Sequence, residues 1–395
     1  MQPLKGLTVV TLEHAIAAPF ATRQLADLGA RVIKIERPGV GDFARAYDQR
    51  VRGQASHFVW TNRSKESLTL DLKHPRAAEL LLKLIVEQAD CVVQNLAPGA
   101  AARLGLSFDA LKARRPDLIV CDISGYGDDP AAPGPYRDKK AYDLLIQSES
   151  GFVSITGTPE EPSKAGLSIA DIAAGMYAYS NILAALLQRQ IDGQGRRIDI
   201  SMLEAMAEWM GYPLYYAFEG AAPPPRAGAA HATIYPYGPF PCGDGKTVML
   251  GLQNEREWRQ FCTQVLLQPA LADDERFQGN ARRTAARDVL RQIIVQAFSA
   301  LSAEQVAQRL EAAQIANAEL RDMAGLWQHP QLAARGRWRQ VDTPAGAVPT
   351  LLPPGQDADV RLDAVPAVGQ HTEAILAALG VDAQELAALR AAQAI

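Results

Sequence analysis

The chain has 395 residues, of which 48% are hydrophobic and 21% charged, and its formal net charge is −4. These values are ordinary for a folded globular protein, and the length favours two domains. No basic block suggests a nucleic-acid partner, and the four cysteines and six histidines show no metal-binding spacing. The N-terminal residues lack a signal-peptide pattern. We therefore expect a cytoplasmic protein with reduced thiols and no metal site.

Strand-like apolar runs alternate with helical patterns through the first half of the chain. We predict strands and helices in the order strand 8–13, helix 20–28, strand 31–36, strand 68–72, helix 75–88, strand 91–94 and strand 118–123. This alternation is typical of a doubly wound α/β fold with a parallel sheet. In such folds the loops that follow the strands line a ligand crevice. The loops concerned here are 14–19, 37–42 and 95–99.

Glu36 ends the second predicted strand, where a dinucleotide-binding fold carries the acid that binds ribose. The turn after the first strand, Ala17-Ala18-Pro19, has none of the glycines of the GxGxxG pattern. An NAD site is therefore not supported by the sequence.

The second half of the chain changes character at the proline-rich run 221–226, which we interpret as a linker. The predicted elements are a strand at 198–201, a helix at 202–219, a hairpin within 235–252, and helices at 257–267, 284–300, 302–313, 372–379 and 383–392. Ser302 and Gln305 have the spacing of a capping box. We predict a large α/β domain of residues 1–220, completed by 326–395, and a smaller α+β domain of 221–325.

The stretch 164–187 is almost uncharged, and Asp171 is its only acidic residue. It predicts a long helix that starts near Asp171 and is buried on all sides in the core rather than in a membrane. A carboxylate in the first turn faces the positive end of the helix dipole, so we expect Asp171 to stay ionised. Aspartate is a common N-cap, and it can also act as a nucleophile. The local pattern does not separate these two interpretations.

A series of segments along the whole chain resembles the class III CoA-transferases, the formyl-CoA and carnitine CoA-transferase (CaiB/BaiF) family. The opening LKGLTVVTLEHAIAAPFATRQLADLGARVIKIERPGVGD resembles the N-terminal signature of that family. The others follow in family order at 62–75, 92–105, 123–127, 141–151, 193–205 and 369–376. The resemblance implies an α/β fold in which a ring-like monomer forms an interlocked homodimer.

The resemblance also implies site residues and a mechanism. Asp171 stands at the family's catalytic aspartate, which forms a mixed anhydride and then an aspartyl-CoA thioester. The positions that match the family's CoA contacts are His14, Ala15, Arg37, Leu70, Lys73, Asn95, Leu96, Ala100, Arg103 and Lys140. Substrate contacts are expected from Tyr142, Asp143, Gly228 and His231. CoA and acyl-CoA would be substrates, and no permanently bound cofactor is expected.

The segment 226–240 resembles family members that act on C4–C5 dicarboxylic acids. The expected donors are therefore thioesters such as succinyl-, itaconyl-, mesaconyl- or citramalyl-CoA. Arg137, Arg226 or His231 could bind the second carboxylate. Gly228 is the glycine retained where the family often has a glycine-rich loop, and its N–H is a candidate donor to a tetrahedral intermediate.

Two other functions compete with transfer. An α-methylacyl-CoA racemase shares the fold and the aspartate, but it needs a histidine base where this chain has Tyr142. A neutral phenol is a poor base near pH 7. A non-catalytic CoA-binding protein would have no need of the aspartate that is retained at position 171.

Overall fold

The computed structural model describes residues 2–356 and 359–395, so positions 357 and 358 of the predicted segment 326–395 lie outside the described residues. The chain divides into two compact units. The large unit contains residues up to 151, 165–211 and 332–395, and the small unit contains 152–164 and 212–331. The boundaries differ from the sequence-based ones because 152–164, 212–220 and 326–331 group with the small unit.

The secondary structure alternates as the sequence predicts. The strands are β1 Thr8–Leu12, β2 Arg31–Glu36, β3 Lys65–Thr69, β4 Cys91–Gln94, β5 Ile119–Ser124, β6 Arg197–Ser201, β7 Tyr237–Pro241, β8 Thr247–Gly251, β9 Ala316–Glu319, β10 Trp338–Val341 and β11 Val348–Leu351. The first nine helices are α1 Ala17–Asp27, α2 Ser56–Thr61, α3 Pro75–Gln88, α4 Ala100–Arg103, α5 Phe108–Lys112, α6 Asp143–Glu149, α7 Phe152–Ile155, α8 Ile169–Asp192 and α9 Met202–Trp209. The remainder are α10 Gly211–Tyr216, α11 Glu255–Gln260, α12 Asn280–Ala285, α13 Arg287–Phe298, α14 Ala303–Ala312, α15 Met323–Trp327, α16 Pro330–Ala334, α17 Thr372–Ala378 and α18 Ala383–Ala391.

The large unit is built on a six-stranded sheet in the order β3-β2-β1-β4-β5-β6. Every neighbouring pair in it is parallel. The predicted doubly wound α/β fold is therefore confirmed. The strand order reverses between β1 and β4, which is the switch point where such sheets bind ligands. The C-terminal helices α17 and α18 share a hydrophobic core with α3 and the sheet, through residues such as Ile375, Leu376 and Leu389.

The third strand lies earlier than its predicted position at 68–72. It begins at Lys65, and its first residues Lys65, Glu66 and Ser67 are polar. These side chains are tolerated because they pair with acids and bases of neighbouring elements: Lys65 with Glu13, Glu66 with Arg31, and Ser67 with Glu36. A search for apolar runs misses a strand of this kind.

The predicted helix 202–219 is also wrong in extent. It divides into α9 and α10, with Gly211 starting the second helix and Pro213 following in its first turn. Proline lacks the N–H that a continuous helix would need at this point. Near the other end of the small unit, the capping box of Ser302 and Gln305 is confirmed at the start of α14.

Helix α8 crosses α1 at very short range. A Cβ added to Gly175 would lie 2.7 Å from the Ala17 carbonyl oxygen and 3.0 Å from the Phe20 ring. Glycine therefore permits this approach. The predicted burial on all sides is wrong, since Met176, Leu187 and Ile191 are exposed on the surface of the unit. By length and composition α8 could span a membrane, but its buried residues form the core of a folded unit, as those of a core helix do.

The small unit contains the antiparallel sheet β7-β8-β9. Strands β7 and β8 form the predicted hairpin, whose turn contains residues 243–245. The helix predicted at 257–267 is α11 followed by a π-helical turn, Phe261–Val265. The hydrophobic core of the small unit is rich in aromatic side chains, and Trp258, Phe261, Phe277 and Phe298 are almost fully buried in it. This is the α+β architecture expected from the sequence.

The close contact between α1 and α8 leads to a prediction for the stability of a variant with one added methyl group at Gly175. Gly175→Ala should lower the free energy of unfolding by about 1–3 kcal/mol, because the backbone carbonyl of Ala17 cannot move away easily. Gly211→Ala is the matched control, since a Cβ there meets nothing within 4 Å and alanine is the better helix former. Urea denaturation of both variants tests this. Equal stability of the two variants would contradict the proposed crowding.

Candidate functional site

The loops after β1 and β4 are joined across the switch point by a pair of hydrogen bonds. The His14 N–H donates to Asn95 Oδ1 at 2.8 Å, and Asn95 Nδ2 donates to the His14 carbonyl at 2.9 Å. The next residue, Ala15, has a left-handed backbone with φ of 60°. Such strain in a non-glycine residue persists only where the surroundings hold it, often at functional sites. Three predicted contact residues therefore lie together at the carboxyl edge of the sheet.

A buried network of ion pairs connects the strands that precede these loops. Glu13 accepts hydrogen bonds from Lys65 Nζ at 2.6 Å and Lys34 Nζ at 3.3 Å, and all three side chains are fully buried. Lys34 also donates to Asp42 Oδ2 at 2.8 Å. Burial alone would raise the pKa of Glu13, but Lys65 and Lys34 outweigh it and lower the pKa to about 2. Glu13 is therefore ionised at all physiological pH values.

His14 is held between an acid and a ring. Its imidazole stacks on Phe43, with 5.3 Å between ring centroids, and its Nδ1 lies 3.9 Å from Asp42 Oδ1. That Nδ1 is buried and has no hydrogen-bond partner among the described residues. Burial lowers the pKa of His14, against the opposing effect of Asp42. The neutral ring has an unused nitrogen that a bound ligand could satisfy.

Glu36 is engaged within the protein. Both of its oxygens accept hydrogen bonds from Arg45, at 2.8 and 2.7 Å, and the Ser67 hydroxyl donates at 2.6 Å. The residue is only 3% exposed. It is therefore not available to bind a ribose, which agrees with the absence of the glycine pattern for NAD.

Asp171 lies in the first turn of α8 but does not cap it. The N-cap is Ser168, and the capping acceptor is Asp143, 28 residues earlier in the chain. Asp143 Oδ1 accepts from the N–H groups of Ala170 at 2.9 Å and Asp171 at 3.4 Å. Two carboxylates therefore converge on one helix N-terminus, and the interpretation of Asp171 as an N-cap is wrong.

This neighbour changes the acidity of Asp171. Burial and the negative charge of Asp143 raise the pKa of Asp171 from 3.8 to about 7. The expectation that Asp171 stays firmly ionised is therefore wrong. The free N–H groups of α8 point at Asp143, so the helix terminus stabilises the charge of Asp143 rather than that of Asp171.

Gln147 fixes Asp143 in place. Its Nε2 donates to Asp143 Oδ2 at 2.7 Å, while its Oε1 accepts from the Ala165 N–H at 2.9 Å. Gln147 is fully buried. The residues stand at i and i+4 on α6, a spacing that favours such pairs, and this was the one signal in the sequence that could have identified Gln147.

Tyr47 is a second residue that the sequence did not single out. It is 47% exposed. Partial burial of its side chain raises the pKa of Tyr47 to about 12, and Asp42, Asp171 and Tyr142 raise it further. Its phenol therefore lies within electrostatic range of both the candidate nucleophile and Tyr142. Tyr47 also contacts Phe43, at 5.8 Å between ring centroids, and so extends the aromatic stack that starts at His14.

The predicted CoA contacts outside this cluster differ in character. Leu70 is a core residue, and Leu96 packs against the same core, so these two offer mainly backbone groups. Ala100 starts α4. The cations are exposed and make no ion pair in the part of the chain that the structure describes; they are Arg37, Lys73, Arg103 and Lys140. Free cations on these loops can bind phosphate groups.

Several predicted substrate residues are already engaged in structural contacts. In the small unit, the Gly228 N–H donates to the Gly157 carbonyl at 2.8 Å, so in this conformation it is not free for an oxyanion. His231 Nδ1 accepts hydrogen bonds from the N–H groups of Thr233 and Ile234. Burial, and to a smaller extent the positive charge of Arg287, lowers the pKa of His231. A neutral His231 is a poor carboxylate ligand.

The two arginines considered for a second carboxylate are engaged as well. Arg226 donates to the carbonyls of Ser154, Thr158 and Pro159. Arg137, in the large unit, pairs with Asp128 at 2.6 Å. Tyr142 is 67% exposed at the N-cap of α6, directly before Asp143.

Comparison with known proteins decides the family. The family model described as CoA-transferase family III matches residues 4–372. The chain belongs to this family. It is 34% identical to a succinate–glutarate CoA-transferase of Agrobacterium fabrum, with 95% of this chain and 96% of that protein covered. It is 30% identical to the human succinyl-CoA:glutarate CoA-transferase, with 95% of this chain and 86% of that protein covered.

A solved structure agrees with this assignment. A CaiB/BaiF family protein from Brucella suis superposes with a TM-score of 0.82 at 32% identity, over 95% of this chain and 99% of that one. The chain is thus a family III CoA-transferase by sequence and by fold. The resemblance in the signature segments is confirmed.

The acid pair of this CoA-transferase predicts a pH effect. If Asp171 is the nucleophile, it must be ionised to react, so kcat/KM should fall as the pH drops through about 7, the pKa of Asp171. In Asp143→Asn the neighbouring charge is absent, so the pKa of Asp171 should fall and the acid limb should move to lower pH. Asp109→Asn, on the surface of α5, is the matched control. An acid limb of the pH profile that stays at the same pH in Asp143→Asn would contradict its assignment to Asp171.

Proposed function

We propose that this CoA-transferase moves CoA between short dicarboxylic acids, with Asp171 as the covalent nucleophile. The observation that carries the proposal is the placement of Asp171 beside Asp143 at the N-terminus of α8. A structural N-cap would not need a second carboxylate next to it, because repulsion between like charges destabilises the folded state.

The first half-reaction consumes the donor thioester. A carboxylate oxygen of Asp171 attacks the thioester carbonyl, and the C–S bond breaks to release CoA thiolate and leave a mixed anhydride. The thiolate then attacks Cγ of Asp171. The donor acid leaves as a carboxylate, and an aspartyl-CoA thioester remains. The energy of the thioester is therefore conserved, which a serine ester would not achieve.

The second half-reaction reverses these steps with a new acid. The acceptor carboxylate attacks Cγ of Asp171 and expels CoA thiolate, and a second mixed anhydride forms. The thiolate attacks the acceptor acyl carbonyl, the new acyl-CoA forms, and Asp171 returns as a carboxylate. No redox or proton-transfer reagent is needed for the net exchange.

Asp143 favours the covalent states in this scheme. In the free enzyme the ionised Asp171 is partly buried next to the Asp143 charge, and both effects raise its pKa and hence its basicity. Acylation converts Asp171 to a neutral group and removes the repulsion. A more basic carboxylate is also a stronger nucleophile, provided that it is ionised at the working pH.

CoA would bind across the switch point. We assign its phosphates to the exposed cations Arg37, Lys73, Arg103 and Lys140, since each lies on a segment that follows the carboxyl end of a strand of the sheet. These strands are β2, β3, β4 and β5, in that order. The backbone of His14, Ala15 and Asn95, which is held by the hydrogen bonds between His14 and Asn95, would contact the pantetheine arm. We assign contacts with the acyl group to Tyr47 and Tyr142, because Asp171 and Tyr142 both act electrostatically on Tyr47.

The acids are inferred from relatives. Two of them are named for succinate and glutarate, which are dicarboxylic acids of four and five carbons. The segment 226–240 supports the same class. A panel of acyl-CoA donors against succinate, glutarate, mesaconate, itaconate, citramalate and oxalate would identify the pair. A preference for monocarboxylic acids would contradict this part of the proposal.

The nucleophile is tested by trapping. Incubation with a dicarboxylyl-CoA should leave an adduct on the Asp171 peptide, which hydroxylamine or borohydride would trap and mass spectrometry would detect. Asp171→Ala should lose transfer by at least about 1,000-fold, because the covalent route is removed, and it should retain the fold and CoA binding. Turnover of the alanine variant at a rate near the wild type would show the mechanism to be wrong.

The racemase alternative is tested with the same protein. A racemase exchanges the α-proton of a 2-methylacyl-CoA, so incubation in D2O would deuterate that carbon. A transferase should show no such exchange and should instead form a new thioester with an acid. Rapid α-deuteration without CoA transfer to any acid would favour the racemase.

We further propose an interlocked homodimer of ring-like monomers in the cytoplasm. Each unit exposes large apolar side chains, with Leu187 and Ile191 on α8 of the large unit, and Leu214 and Tyr215 on α10 and Phe218 beyond it in the small unit. Exposed apolar residues of this kind mark association surfaces. The four cysteines are buried free thiols, which fits a reducing compartment.

Interlocked chains cannot separate without opening, so the dimer should persist on dilution. Analytical ultracentrifugation from micromolar to nanomolar concentration should show a dimer or unfolded chains. A compact native monomer at any concentration would contradict the interlocked assembly.

A further inference from the structure

The small unit contains a cavity of about 240 Å³, and none of the residues assigned above to the nucleophile or to CoA lines it. Its apolar lining consists of Ala227, Ala229, Ala230 and Pro239. Its polar lining consists of Tyr235, Arg287, Asp288 and Arg291. The cavity therefore combines apolar surface with a cluster of polar and charged groups.

The phenol of Tyr235 lacks a hydrogen-bond acceptor. The residue is 5% exposed, and its Oη is buried without a hydrogen-bond partner among the described residues. Arg291 lies near this hydroxyl but can only donate to it, because an arginine has no acceptor to offer to the phenol O–H. Burial raises the pKa of Tyr235 to about 12, so the phenol keeps its proton. Unmade bonds at buried polar groups are costly, which calls for an acceptor in the cavity.

The two arginines have unused donors. Arg287 Nη2 donates to the carbonyls of His231 and Ala232, and Arg291 Nη1 donates to the carbonyl of Pro239. Neither forms an ion pair within the described part of the chain. Each guanidinium has five N–H donors, so several remain for a ligand. Two arginines and a phenol O–H outnumber the single carboxylate of Asp288 in the cavity lining, so these donors favour a further anion.

We propose that this cavity binds one carboxylate of a short dicarboxylic acid through Arg287, Arg291 and Tyr235. The carboxylate supplies the acceptor that the phenol lacks, and the short methylene chain lies against the alanines and Pro239. Asp288 is the opposing charge, and it limits the affinity for anions. The choice of a dicarboxylic acid rests on the proposed function, whereas the anion site itself rests on the cavity.

Isothermal titration calorimetry of the full-length protein with glutarate, without CoA, tests the site. Arg291→Gln and Tyr235→Phe should each weaken binding about tenfold, since the first removes a cationic guanidinium and the second removes the phenol O–H donor. Asp288→Asn should tighten binding, because it removes the opposing charge. Arg256→Gln is the matched control and should bind as the wild type does, because this exposed arginine of the same unit makes no side-chain hydrogen bond or ion pair among the described residues.

The outcomes are distinct from those of the transferase assays. Unchanged affinity in folded Arg291→Gln and Tyr235→Phe, or no binding of glutarate by the wild type, would overturn the inference. Equal competition by inorganic phosphate would also overturn it, since it would show an unselective anion site. Failure of the proposed function would appear instead as a lack of CoA transfer, which this binding measurement does not involve.

Discussion

The ionic network around Glu13 is the constraint on which the rest of the large unit depends. It joins β1, β2, β3 and α1, through Glu13, Lys34, Lys65 and Thr22. The Lys65 ammonium has acceptors for all three of its N–H groups, namely Glu13, the Pro19 carbonyl and Asn62. Loss of one partner from such a buried set leaves an uncompensated charge, at a cost of about 3–5 kcal/mol. The network therefore holds three strands, one helix and the loop of Asp42 in one arrangement.

The site is built on this base. Asp42 links the network to the loop of His14 and Ala15, and Asn95 connects that loop to the next one across the switch point. Gly175 brings α8 against the start of α1. Asp171 stands one turn before Gly175 on α8, so the same close packing that fixes α1 also fixes the residue that we propose as the nucleophile. A rigid site of this kind suits a reaction with several sequential attacks on one carboxylate.

The acidity of Asp171 results from opposing effects of known sign. The helix terminus favours a negative charge, whereas burial and a neighbouring carboxylate disfavour it. Here the N–H groups of Ala170 and Asp171 point at Asp143, so Asp143 receives the favourable interaction and Asp171 the unfavourable ones. Two carboxylates of the same kind thereby take different roles. The result follows from geometry and not from the identity of the two residues.

The sequence by itself determined the alternation of strands and helices, the doubly wound fold, and the position of Asp171 in the first turn of a long helix, because these follow from local periodicity and turn residues. It misplaced β3, whose buried Lys65 and Ser67 are stabilised only by partners from other elements. Only the tertiary structure decided the partner of Asp171, since Asp143 lies 28 residues away and reaches α8 through the fold. The raised pKa of Asp171 and the grouping of Tyr235, Arg287 and Arg291 around one cavity depend on such distant contacts, and no local pattern encodes them.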